Sequence, residues 1–186
     1  MSGTEAMTRA LDEYQARDES EVADVARLRT LLGRDDVFAR STPVHVTGSA
    51  LVVHPPTRTV LLRWHPRMQM WMQVGGHFDA GETDPRLVAL REAREETGLS
   101  DLRSPAKTAD APVQIVIVPV PAHGDEPAHE HADFRYVFVT DTPNGTVPES
   151  PDARLRWVDP AVAAVETRED NLRVFLSRVS EMLGVR

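Results

Sequence analysis

Residues Gly75–Leu99, GGHFDAGETDPRLVALREAREETGL, are the segment around which the chain is organised. Two glycines lead into a loop, and the loop feeds a short segment dense in glutamate. Asp84 is a good N-cap, Pro85 suits the first helical position and Gly98 suits a left-handed stop, so the spacing predicts a helix over 85–97. At roughly 100° per residue, Glu92, Glu95 and Glu96 stand at i, i+3 and i+4 and share one face. Leu87 and Leu90 fall on nearly the opposite side and are expected to anchor the helix to a core.

Like charges at this spacing repel, so something cationic must compensate them. One reading is a solvated acidic face balanced by Arg91 or Arg94 through surface ion pairs, each worth under about 1 kcal/mol. The rest of the stretch favours a metal ion. Gly75-Gly76 lets the backbone approach a ligand closely, and Glu82 supplies a further carboxylate from the loop. Hard oxygen donors of this kind suit Mg²⁺, which is commonly shared with substrate phosphates.

Gly76, five residues, Glu82, a spacer and then Arg91-Glu92-Ala93-Arg94-Glu95-Glu96-Thr97-Gly98-Leu99 resemble the box of the Nudix hydrolases, G-x5-E-x7-R-E-U-x-E-E-x-G-U with U aliphatic. Eight residues, Thr83 to Leu90, stand where that pattern has seven. The extra one fits most economically at Thr83-Asp84, before the helix, and bears on where Glu82 lands. Ala93 at an aliphatic position is a mild departure. The resemblance implies an α/β fold, the Nudix α/β/α sandwich with a mixed β-sheet, over approximately residues 44–186, of which only the box is specific.

The same resemblance implies Mg²⁺ or Mn²⁺ surrounded by the Gly75 carbonyl, Glu92, Glu95 and Glu96, with Glu82 adding a ligand directly or through water. Arg91 is expected to orient the glutamates. The implied reaction is attack of water on one phosphorus of a nucleoside diphosphate linked to another moiety. Metal ions neutralise the diphosphate and acidify water, and a carboxylate takes the proton. Glu92 is the expected base, with an acid from a distal loop as runner-up. The prenyl diphosphate isomerases of this fold use a catalytic cysteine, and the chain has none. A nucleotide sensor that does not hydrolyse is the competing function, but such proteins tend to lose box carboxylates, which are present here. A role for the acidic helix as a protein-interaction surface alone leaves the paired glycines and Glu82 unexplained.

Composition sets the outer bounds. The 186 residues are long enough for one domain with an appendage. A net charge of −8 and a pI near 5.3 argue against broad electrostatic binding to nucleic acid or anionic membrane, though not against a small phosphorylated substrate. Without cysteine there are no disulfides or thiolate metal sites. With no signal peptide or membrane span indicated, a cytoplasmic protein is expected.

Residues 5–17 and 20–33 read as two helices of an N-terminal extension, 1–40, preceding a domain at 41–186. In the second helix Val22, Val25, Leu28, Leu31 and Leu32 approximate an apolar stripe that must be buried on the domain or on a second copy. The extension is therefore expected either to cap the site or to build a homodimer. Val44–Val53 and Thr59–Trp64 read as a hairpin. Met68–Val74 leads to the glycines, with Trp71 expected in packing or, less simply, in substrate stacking. His65 and Arg67, in the connection, are within reach of a phosphate. Ala111–Val120, Phe134–Thr140 and Arg154–Val158 read as strands, and helical pieces from Asp159 close the chain on the far face of the sheet.

Residues 123–133 hold His123, Asp125, Glu126, His129, Glu130, His131 and Asp133. Alternation along the entering strand puts His129, His131 and Asp133 on one side, and two histidines with one carboxylate can bind zinc. The preferred reading takes this loop as the far wall of the site, with Glu126, Glu130 or Asp133 as the distal acid. A hydrogen bond between His131 and Asp133 that fixes the loop is a structural alternative.

Overall fold

The aliphatic run Val44–His54 forms strand β1, buried at almost every position. Burial of successive residues, which point to opposite faces, requires the sheet to be covered on both sides. In the computed structural model, which describes residues 4–34, 36–106, 108 and 110–184, that cover is helical. The elements are α1 Glu5–Glu13, α2 Glu19–Leu31, β1, β2 Thr59–His65, β3 Met70–Met72, β4 Val74–His77, α3 Pro85–Thr97, β5 Gln114–Val120, β6 His129–Val139, β7 Leu155–Val158, α4 Pro160–Glu166 and α5 Asp170–Leu183.

The sheet is mixed, in the order β3-β2-β1-β6-β5, with β4 beside β1 and β7 beside β2. β1 runs parallel to β6 from Val44↔Glu130 to Val53↔Val139. On its other edge it pairs antiparallel with β4 through Thr47↔His77 to Ala50↔Val74, and with β2 through Val52↔Leu61 to His54↔Thr59. Alternation then divides the core. Val46, Ala50 and Val52 pack with Val88, Ala89 and Ala93 of α3, whereas Leu51 and Val53 pack with Leu172, Phe175 and Leu176 of α5. The α/β/α sandwich is as expected.

Helix α3 spans the range its caps predict. Asp84 Oδ1 accepts from the N–H groups of Arg86 and Leu87, Pro85 opens the helix, and Gly98 ends it at φ +70°. The buried face differs from the leucine expectation: Leu87 is exposed and Leu90 half-buried, while Val88, Ala89, Ala93 and Glu96 are buried. The cause is how closely α3 approaches β1. A Cβ at Gly48 would lie 2.6 Å from the Pro85 carbonyl oxygen and 3.0 Å from the Ala89 nitrogen, which leaves no room for leucine.

Other boundaries shift for similar reasons. The glycines do not open the loop; they lie within strand β4, which is separated from β3 at Gln73. The histidine-rich segment is strand from His129 onward, because parallel pairing with β1 extends it. α1 ends at Glu13 because Tyr14 turns extended and donates its hydroxyl to Glu21.

The apolar stripe of the extension is satisfied within the chain. Met7, Leu11 and Leu28 are buried in the α3-side core, with Val25, Leu31 and Leu32 partly buried against it, whereas Val22 is exposed. α2 also covers the outer edge of β5, where Asp24 accepts from the Ile117 N–H. Among the described residues no helix is long and apolar enough to cross a membrane.

A buried ion pair ties the extension to α5. Arg178 donates to Glu21, to the Tyr14 hydroxyl at 3.0 Å and to the Val113 carbonyl at 2.9 Å, and both charged residues are almost fully buried. Removing one partner strands the other charge, at a cost of about 3–5 kcal/mol. Glu21→Ala is therefore expected to lower the urea unfolding midpoint by an amount matching that loss, read from the far-UV signal; an unchanged midpoint would show that the pair carries no stability.

Candidate active site

The sequence concentrates four carboxylates on α3 and the loop before it, and the structure answers with two arginines. Arg91 binds Glu82 through two parallel bonds, Nε to Oε1 at 2.9 Å and Nη2 to Oε2 at 2.8 Å. Its Nη1 donates to Glu92 Oε1 at 2.9 Å and to Glu95 Oε2 at 3.0 Å, and Nη2 also donates to the His77 carbonyl at 2.9 Å. The Arg91 pairing holds Glu82 below the usual carboxylate range. The extra residue in the spacer has not displaced Glu82: its carboxylate closes a turn by accepting from the Asp79 N–H and still reaches Arg91.

Glu96 is separate from this group. It is 8% exposed, and its Oε2 accepts from the Gly75 N–H at 2.9 Å. Arg63 Nε lies 3.2 Å from its other oxygen as an ion pair without hydrogen-bond alignment. Burial pushes the Glu96 carboxyl up to about 7, against the pull of Arg63 and of the Gly75 N–H. Burial also raises Glu92, against its bond to Arg91.

Gly75 is required where it stands, and a side chain at Gly76 would displace the Glu92 carboxylate. Gly75 adopts φ +146°, and a Cβ there would lie 2.3 Å from Ser49 Cβ; a Cβ on Gly76 would lie 2.6 Å from Glu92 Oε1. The Glu92 carboxylate thus rests against the Gly76 backbone, while Glu96 rests against that of Gly75.

Two residues of this cluster lay outside the sequence reading. Arg63 on β2 shares the α3-side face with Leu61, and its Nη2 lies 3.3 Å from Glu149 in the segment before β7. Glu149 is the acid from outside the box that approaches Glu96. The alternation of β2 could have indicated the direction of Arg63, but Glu149 carries no local signal.

The residues expected to form the far wall are dispersed. Glu126 pairs with Arg67 at 2.7 Å, and Glu130 pairs with Arg27 of α2. Asp133 is buried and accepts from Thr47, Ser49 and Arg135, so it is neither exposed beside the box nor bonded to His131. Trp71 sits on the α5 side, edge-on to Trp64 and with the Arg156 guanidinium 4.5 Å from its ring centroid. Beside the box loop, a cavity of about 460 Å³ is lined by Arg34, Phe38 and Arg40 from the N-terminal segment and by Phe78, Asp79 and Glu82.

His131 joins His45 and His77 rather than Asp133. One ligand atom from each of the three lies within 4.8 Å of the others. Burial lowers His45, His77 (to about 3) and His131 (to about 4).

A sequence model of the NUDIX domain matches residues 44–179. The chain belongs to the Nudix family. No functionally curated protein matches it. Among solved structures, this Nudix chain is similar to the Escherichia coli dihydroneopterin triphosphate pyrophosphohydrolase at 18% identity and a TM-score of 0.57, covering 74% of this chain and 94% of that one. A Caenorhabditis elegans Ap4A hydrolase matches at 17% identity and a TM-score of 0.57 (75% and 97% covered), and a NUDIX-family hydrolase from Clostridium perfringens at 24% and 0.54 (74% and 97%). At these identities the likeness establishes the shared fold.

The buried Glu96 sets a pH signature for the metal-free Nudix domain. Its carboxyl is raised from 4.5 to about 7 in the fold, so the folded state holds a proton that the unfolded state releases. This contribution is complete below about pH 4.5 and is lost as pH rises through 7. Relative to the wild type, Glu96→Gln in chelator should therefore gain about 3 kcal/mol of stability between pH 4.5 and 8. Thermal unfolding at both pH values tests this, and a difference that does not change with pH would contradict the raised carboxyl.

Proposed function

We propose that the protein is a metal-dependent Nudix pyrophosphohydrolase acting on a nucleoside diphosphate linked to another moiety. The observation that carries this reading is the meeting of buried Glu96 and half-buried Glu92 with the Gly75-Gly76 backbone, an arrangement that a solvated acidic face does not require. The pyrophosphohydrolase and Ap4A hydrolase similar in fold carry phosphate-linked substrates in their names, which agrees with this substrate class.

The donor set fits Mg²⁺ or Mn²⁺, because the carboxylates of Glu92, Glu95 and Glu96 and the Gly75 carbonyl are all hard oxygens. When bound, such an ion neutralises diphosphate charge and acidifies water. Glu82, with both oxygens on Arg91, serves this set by orientation. Arg91 is a positioning residue that keeps Glu92 and Glu95 in place while no cation is bound. Glu92 takes a proton from the attacking water. The water oxygen bonds to phosphorus as the bridging P–O bond breaks, which releases a monophosphate and a second phosphate product. Glu149, sharing Arg63 with Glu96, takes the place of Glu126, Glu130 and Asp133 as the acid from outside the box.

The test is product release from a panel of nucleoside diphosphate derivatives with Mg²⁺ or Mn²⁺. Wild type should turn over at least one of them only with metal. Glu92→Gln should lower kcat by about 10²- to 10⁴-fold, and Arg91→Lys, which loses the two-pronged grip on Glu82, by about 10- to 100-fold. Tight binding without turnover, equal in wild type and Glu92→Gln, would replace the hydrolase with a sensor.

A further inference from the structure

We infer that the chain carries a second metal site, separate from the box carboxylates, in which His45, His77 and His131 bind a borderline transition ion such as Zn²⁺. These side chains come from three adjacent strands. The register pairs His45 with His131 across parallel β1 and β6, and Thr47 with His77 across β1 and β4, which places all three on the face away from α3. Gly76, on the opposite face of β4, meets Glu92. The two sites therefore share one strand and lie on opposite sides of the sheet.

The hydrogen bonds identify which nitrogens are free to bind. His45 Nδ1 lies 3.0 Å from the Thr42 carbonyl, which can only accept, so in the neutral ring the proton is on Nδ1 and Nε2 presents its lone pair. That Nε2 is buried with no hydrogen-bond partner, and His45 is 1% exposed. A buried unpartnered acceptor is costly. His129 is arranged alike: its Nδ1 faces the Pro127 carbonyl at 2.9 Å and its Nε2 lies 3.1 Å from His131 Nε2. His131 Nε2 also lies 3.2 Å from His77 Nε2. A single proton on His131 Nε2 cannot lie directly between both pairs, and it leaves His45 Nε2 unsatisfied.

A cation answers every lone pair at once. With Zn–N bonds of about 2.0–2.1 Å, neighbouring ligand nitrogens in a tetrahedral site stand about 3.3 Å apart; His77 and His131 present theirs 3.2 Å apart, and the ligand atoms of all three histidines lie within 4.8 Å of one another. Backbone carbonyls on the remote nitrogens are the usual device for fixing the tautomer of a metal-bound imidazole. His129 borders the cluster, its ring stacked on that of His45 at 5.1 Å between centroids. An all-imidazole set suits Zn²⁺, Cu²⁺ or Ni²⁺ and disfavours Mg²⁺, so the two sites take different ions.

The experiment uses the full chain, stripped with chelator and dialysed against Zn²⁺ in excess Mg²⁺, with bound metal counted by mass spectrometry. One Zn²⁺ per chain is expected, with a rise in Tm, and Co²⁺ in its place should give the visible absorption of a tetrahedral nitrogen site. Glu92→Gln and Glu96→Gln should leave zinc stoichiometry unchanged, whereas His45→Ala and His131→Ala should weaken binding at least about tenfold. No stoichiometric zinc and no cobalt spectrum in the wild type, or loss of zinc in the box variants, would overturn the second site and leave the hydrolase reading intact.

Discussion

Holding Glu82, Glu92 and Glu95 within one turn of helix and one loop demands a fixed cation, and the Arg91 guanidinium is that cation. Its planar fork matters as much as its charge. Two parallel bonds fix Glu82, the remaining donors reach Glu92, Glu95 and the His77 carbonyl, and a lysine has no such geometry. The acids are thus held in place by a cation of the chain itself.

Glu96 is governed by a different force. It stands apart from Arg91, buried against the sheet, with the Gly75 N–H and Arg63 as its partners. Desolvation dominates there and raises its pKa, where pairing dominates at Glu82 and lowers it. Two carboxylates of one motif therefore shift in opposite directions because one side chain is turned to the sheet and the other to an arginine. The contact that buries Glu96 depends on backbone proximity: Gly48 admits α3, Gly75 passes over Ser49, and Gly76 leaves space for Glu92. A methyl group at any of these three positions would meet atoms closer than van der Waals contact allows.

What was legible in the sequence was local chemistry. Asp84, Pro85 and Gly98 marked the ends of α3 because capping is decided by residues a turn apart. The box carboxylates were legible for the same reason. The buried face of α3 was not, since hydrophobicity selects Leu87 and Leu90 whereas the closeness of Gly48 selects Ala89 and Ala93. The resemblance points to a distal-loop acid among Glu126, Glu130 and Asp133. The parallel register instead carries Asp133 inside to Thr47 and Ser49, and α2 claims Glu130. The approach of Glu149 to Glu96 and that of His45 to His131 depend on which strands become neighbours, a property no short window contains.

Strand β4 joins the carboxylate cluster to the histidine cluster. Its alternation sends Gly76 towards Glu92 and His77 towards His45 and His131, so one extended dipeptide faces oxygen donors on one side and nitrogen donors on the other. The backbone between them is also committed: the Gly75 N–H is given to Glu96 and the His77 carbonyl to Arg91. A strand only four residues long has few ladder bonds of its own. Bonds from α3 side chains to its backbone therefore add to the β1 ladder in placing it, and the arginine that arranges the box glutamates also grips the backbone of the residue whose ring faces His45 and His131.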